Sequence, residues 1–287
     1  MKNLTLVIAV VLTLLTASSA FAGAPFNGLE GEGGIAFNPL AYTAGSKAAD
    51  PEKTDWDKGP VGEVTKYLGK PQFGTWYANL SDVRVNWFAV GVADTILDRL
   101  EVSYGFETIG QKDAKTHNKN NIGAKLLVVP ENFNNWQFVP AISVGGIFKD
   151  TDNVIPGARH EGWDGYLVAT KTITQLWRPI VLSGGALLTD SYATGVFGYN
   201  KDSKTVLFGN VDVFLTDHII AGFEYQQGPQ FGAFKDADYW DAHLAWAVNK
   251  NLTLIGAYIY AGDSKPKTNT NVVGLGNGFT LSAQYAF

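Results

Sequence analysis

Four histidines, no cysteine and scattered carboxylates are the groups in this chain that could do chemistry. Their spacing excludes most of it. His117, His160, His218 and His243 make no His-x-x-x-His pair, and His160-Glu161 runs on to no second histidine, so a zinc-peptidase helix is missing. Asp150-Thr151-Asp152-Asn153 begins like a calcium loop, but the glycine that such a loop needs for its sharp turn is absent. It reads as a solvated acidic loop tip. Lack of cysteine removes thiolate nucleophiles and cysteine metal sites. Ala141-Ile142-Ser143-Val144-Gly145 misses the nucleophile elbow and falls in mid-strand, where a strained strand-to-helix turn is not expected. The glycine-rich run 28–34 lacks the Gly-Lys-Ser/Thr ending that cradles phosphate; it reads as tight curvature in a first strand. No catalytic, cofactor or metal residues are assigned, and the chain is not read as an enzyme.

What remains is a set of charges spaced by two along strand-like runs. Arg84, Arg99, Glu101, Glu107, Lys125, Asp212, Glu224, Asp241 and His243 each lie on the polar side of such a run. Residues two apart on a strand share a face, so these charges would line one interior. Glu101 with Lys125, and Glu224 with His243, would sit at similar depth on adjacent strands. Such an interior is either a polar pore whose charges select a solute or a filled lumen in which opposite charges pair.

The elements that must position them recur along the chain: 31–42, 83–92, 98–109, 119–129, 136–148, 163–173, 178–190, 204–215, 218–228, 238–248, 251–261 and 277–287. That predicts about twelve strands, with boundaries good to a few residues. Residues 74–80 could add a short strand or extend the second. Leu100, Val102, Tyr104 and Phe106 alternate with Arg99, Glu101, Ser103 and Glu107; strand 163–173 leaves its outward face open between Tyr166/Val168 and Leu167/Ala169. Links at 93–97, 130–135, 173–177, 216–217 and 249–250 are short, and each alternates with a longer one, 43–82 being the longest. Outer-membrane barrels pair short periplasmic turns with longer external loops in this way. Loop 43–82 is read as the first external loop, able to fold inward and constrict or plug the barrel.

Both ends agree. Phe279, Leu281, Ala283, Tyr285 and Phe287 form the apolar face of a last strand whose other face carries Thr280, Ser282 and Gln284. This ending resembles the C-terminal signature of outer-membrane barrels, whose final strand closes the barrel and engages the barrel-assembly machinery. Met1-Lys2-Asn3, the apolar run to Leu15 and Ala20-Phe21-Ala22 have the layout of a secretory signal peptide, 1–22, cleaved before Gly23. Residues 23–287 then form one barrel domain. After the signal no apolar stretch approaches the length of a spanning helix, and a net charge of −5 offers no footprint for nucleic acid.

The phrases Leu97-Asp98-Arg99-Leu100-Glu101-Val102-Ser103, Gly165-Tyr166-Leu167-Val168-Ala169-Thr170-Lys171 and Tyr239-Trp240-Asp241-Ala242-His243-Leu244-Ala245-Trp246 resemble a proteobacterial domain-of-unknown-function family regarded as outer-membrane β-barrels. The resemblance covers roughly 28–287 and departs chiefly in 43–82. It implies fold and location and carries over no site residues. The expectation is an outer-membrane barrel in contact with lipid, without a cofactor, forming a narrow channel for small hydrophilic solutes. The alternatives are a closed barrel acting as a surface receptor or scaffold through its loops, and a lipid-modifying enzyme built around His243.

Overall fold

The computed structural model describes residues 26–46, 67–112, 114–152, 158–264 and 271–287. The expected signal peptide, 1–22, and most of 43–71 lie outside the described residues. Twelve antiparallel strands close into a barrel. In chain order they are β1 Gln72–Leu80, β2 Val85–Ile96, β3 Leu100–Gln111, β4 His117–Val129, β5 Ala141–Thr151 and β6 Glu161–Ile173. The second half follows with β7 Ile180–Ser191, β8 Tyr199–Phe214, β9 Ile219–Gln226, β10 Tyr239–Ala247, β11 Leu252–Tyr260 and β12 Asn277–Ala286. Each strand pairs with the next, and β12 returns to β1 with Leu281 opposite Tyr77. Full closure leaves no open edge, the only way strands can satisfy their backbone in lipid.

Alternation is plain on most strands. Leu100, Val102 and Tyr104 are exposed on the outside of β3, while Glu101, Ser103 and Glu107 are buried inside it. On β6, Tyr166 and Val168 point inward and Leu167 outward. On β12 and the residue after it, Phe279, Leu281, Tyr285 and Phe287 are exposed outward. The outer face is thus a belt of large apolar side chains, rimmed by aromatic groups. Phe73, Tyr285 and Phe287 meet edge to face at one end, and Trp240 stacks on Phe223 and Tyr260 at the other.

Three features differ from the sequence reading. Residues 31–42 are not a wall strand. Ile35, Ala36, Leu40 and Ala41 are buried without alternation, because that stretch runs inside the barrel and is enclosed on every side. The first wall strand is β1, which the sequence reading had left largely in loop 43–82. Its signal was masked because Trp76, Ala78 and Leu80 face inward and are as apolar as outward Phe73 and Tyr77. Loop lengths also depart at three links. Residues 81–84 and 112–116 are short at the long-loop end, and 130–140 are long at the short-turn end. The latter holds Asn132, Asn134 and Asn135 at positive φ, a conformation asparagine tolerates better than most residues. Trp136 and Phe138 stack within that link rather than in β5. The remaining turns, 97–99, 174–179, 215–218 and 248–251, are short, while 152–160, 192–198, 227–238 and 261–276 gather at the opposite end.

The interior is packed. One apolar cluster joins Phe26, Ile35, Leu40 and Tyr42 of the N-terminal segment to Trp76, Val168, Phe208 and Ile255 of the wall. A second, at the long-loop end, joins Ala78, Leu80, Val85, Trp87, Ile109 and Val196. Burying each large side chain contributes about 1.5–3 kcal/mol, so the lumen is a folded core.

Candidate functional site

The site is the contact between the barrel wall and segment 26–46, which occupies the lumen as a plug. Within it Phe26–Asn27 pairs antiparallel with Gly33–Gly34, but the rest has no regular structure, and its backbone groups need partners once water is excluded. The wall supplies them. Glu101, on β3, accepts Gly33 N–H at 2.8 Å through one oxygen and Ala44 N–H at 2.7 Å through the other. Lys125, opposite it on β4, pairs with Glu101 at 2.9 Å and donates to the Gly33 carbonyl at 2.7 Å. Across the lumen Glu224, on β9, accepts the N–H groups of Ala36 and Phe37 at 3.2 and 3.1 Å. Thr170 receives Ala41 N–H at 2.8 Å, and Ser143 donates to the Ala41 carbonyl at 2.6 Å. Trp76 Nε1 donates to the Asn27 carbonyl at 2.7 Å, and Gln284 Oε1 accepts Asn27 N–H at 2.9 Å.

Charge ties the plug in as well. Glu30 receives Lys119 and Lys149, each at 2.5 Å. Lys119 also meets Glu107 at 2.9 Å, and Lys149 meets Asp164 at 2.6 Å. The result is one alternating chain, Glu107–Lys119–Glu30–Lys149–Asp164, running from wall through plug to wall. Pairing of this kind offsets the cost of burying each charge.

Shape completes the fit. Gly31 has φ +91°, and a side chain there would overlap the Tyr104 carbonyl. One at Gly105 would overlap the Glu30 carbonyl. Gly105 lies opposite Gly91 in the β2–β3 register, so the wall is bare where the plug backbone presses on it. At the short-turn end, Tyr42 OH donates to Glu131 at 2.9 Å, and Glu131 also receives Lys171 at 2.9 Å.

Seven of the nine charges singled out from sequence lie buried inside the barrel: Glu101, Glu107, Lys125, Asp212, Glu224, Asp241 and His243. Two do not. Arg99 is exposed in turn 97–99, its guanidinium donating to the carbonyls of Leu127 and Val128. Arg84 is exposed at the long-loop end with φ 55°. Alternation was extended past the true strand ends in both cases. On β2 the parity is also reversed, since Val85, Trp87 and Ala89 face the filled lumen. Glu224 lies opposite Asp241, and not His243.

His243 has no free nitrogen. Nδ1 is 2.8 Å from Asp241 and Nε2 is 2.8 Å from Asp212, so neither can activate a nucleophile. Sequence reasoning missed Glu30, Lys119, Lys149, Asp164 and Trp76. The available signal was Glu30 and Glu32 set among glycines in 28–34, acids with no obvious partner so near the N-terminus.

Outside the wall, Asp236 in link 227–238 accepts Ala193 N–H of link 192–198 at 2.7 Å. Burial pushes its carboxyl up to about 6, outweighing that hydrogen bond.

The barrel aligns with solved outer-membrane porins. A KdgM porin superposes with a TM-score of 0.51 over 75% of this chain and 99% of its own, at 11% identity. A NanC porin gives a TM-score of 0.50 over 76% of this chain and 98% of its own, at 9% identity. Outer membrane phospholipase A from Escherichia coli covers 76% of this chain and 96% of its own, with a TM-score of 0.41 and 8% identity. At these identities the likeness is one of fold. No curated protein matches the chain. Residues 60–276 match a family described as a protein of unknown function, DUF3034.

Proposed function

The chain belongs to the DUF3034 family of proteins of unknown function, and from that premise we propose that it is a gated outer-membrane channel. Its N-terminal segment closes the barrel at rest, and small solutes pass only when that segment leaves the lumen. The short-turn end, where Phe287 lies, faces the periplasm, and the longer links face outward. The outer face of β12, with Phe279, Leu281, Tyr285 and Phe287, meets lipid. The end of that strand is where the barrel-assembly machinery would engage.

One observation carries the reading: Glu101 and Glu224 hold four plug N–H groups from opposite sides of the lumen. A solid scaffold needs only an apolar core. Here the wall keeps charged groups that a water-filled lumen would solvate as readily as the plug does, so both states have partners for them. Twelve strands also lie between the eight that side chains fill and the sixteen or more that leave a wide aqueous pore, which suits a channel closed by one short segment. The arrangement of His243 disfavours the lipid-modifying alternative.

The test is planar-bilayer recording of the mature protein beside a variant lacking residues 26–45. The full chain should be silent or open rarely, and the deletion variant should conduct steadily. A deletion variant that keeps heat-modifiable gel mobility, and is therefore folded, yet stays silent would remove the channel. It would leave a closed barrel acting through its loops.

A further inference from the structure

Between the plug and the loops that cover the long-loop end, the lumen holds a cavity of about 90 Å³, several times what a single water needs. Its walls are mostly apolar: Leu29 and Phe37 from the plug, Trp76, Ile147 and Leu187 from the barrel, and Leu275 from link 261–276. It lies between the two apolar clusters, so the plug floors it and the loop-end cluster forms part of its wall. Ala193, Pro229 and Ala261 reach it from three separate links, which makes the loop end its entrance.

The polar groups at its edge are informative. Trp87 is buried, lines the cavity, and its Nε1–H finds no partner among the described residues. An orphaned buried donor is costly, and here it sits beside empty space. Glu32 is also buried and lines the cavity, with one carboxylate oxygen unpartnered. The one cation lining the cavity, Lys149, is already paired with Glu30 and Asp164, so an anion entering it would be buried without a counter-charge. Apolar cavities stay dry and take up apolar molecules, and ligand sites combine apolar walls with a few placed polar groups.

We propose that this cavity binds a neutral, largely apolar small molecule of about one ring, whose single oxygen accepts a hydrogen bond from Trp87. The site exists in the closed barrel, so it stands whether or not the plug ever leaves the lumen.

The experiment is a fluorine NMR titration of the folded, full-length mature protein in detergent. Its probes are 4-fluorophenol, 4-fluorotoluene and the anion 4-fluorobenzoate. The first two should each give a saturable bound resonance at one per chain, and the third none. Ala78→Phe, which grows a side chain into the cavity, should abolish both; uptake by the micelle is common to all variants and cancels. Ala261→Leu narrows the cavity from a link outside the strands and serves if Ala78→Phe loses heat-modifiable mobility. Trp87→Phe should weaken 4-fluorophenol by about 2- to 10-fold, the range of one hydrogen bond, while 4-fluorotoluene stays within about twofold. Three results would overturn the proposal: no saturable resonance from folded wild-type protein, binding that survives the cavity-filling variants, or equal binding of 4-fluorobenzoate. Equal loss of both neutral probes in Trp87→Phe would refute Trp87 as the donor.

Discussion

Replacing Glu101 by alanine is the sharpest probe of the plug. The carboxylate holds Gly33 N–H and Ala44 N–H through its two oxygens, and hydrogen bonds to a charged group contribute about 1.5–3 kcal/mol each. The variant therefore loses about 3–6 kcal/mol of the free energy that favours the plug inside the lumen. At 1.4 kcal/mol per factor of ten, that raises the displaced population by roughly 10²- to 10⁴-fold. Lys125 retains its hydrogen bond to the Gly33 carbonyl at 2.7 Å, so the wall does not gain a wholly unpartnered cation. Native-state hydrogen exchange, read by mass spectrometry on peptides covering 26–46, measures this directly. Exchange there should accelerate by the stated factor while strands β5 to β8 keep their protection. Glu224→Ala releases Ala36 and Phe37 from the other side and should act alike. Unchanged protection of the segment in both variants, in a barrel that still shows heat-modifiable mobility, would refute the idea that wall carboxylates hold the plug.

Three further outcomes follow from other parts of the molecule. Gly105→Val places a branched side chain where the Glu30 carbonyl lies, so it should expel the plug, seen as new protease cleavage within 26–46 and as bilayer conductance. Leu281→Arg puts a charge on the lipid face of β12 and should cost about 2–4 kcal/mol near mid-membrane; a lower temperature for loss of heat-modifiable mobility would register it, and an unchanged one would count against lipid exposure. The Asp236 carboxyl, raised from 3.8 to about 6 by burial, favours its docked site in the protonated form. Docking of links 192–198 and 227–238 is thus strongest below about pH 4, weakens as pH rises through 6, and is flat above it. The shift of roughly two units corresponds to about 3 kcal/mol. Proteolysis of these links should accelerate between pH 4.5 and 7.5 in the wild type and show no such rise in Asp236→Asn.

Wall strands were legible because side chains alternate with period two wherever one face meets lipid and the other meets something polar. Leu100 to Glu107 and Phe279 to Phe287 show this at the level of single residues. The same rule failed where the lumen is apolar. Trp76, Ala78 and Leu80 look outward by type and point inward in fact, so β1 was hidden and 31–42 took its place in the sequence reading. Arg84 and Arg99 were carried inward by counting in twos past a turn, where the backbone no longer alternates.

The chain's own pattern determined a closed antiparallel barrel of about twelve strands, with its long links at one end, because local periodicity and turn lengths are written residue by residue. Only the tertiary structure decided what fills the lumen. Glu30 meets Lys119 and Lys149 across 89 and 119 positions of sequence, and Glu224 meets Phe37 across 187. Nothing local encodes such a pairing. It arises when barrel closure brings a run of glycines and two acids into a space where backbone groups and buried lysines both need partners.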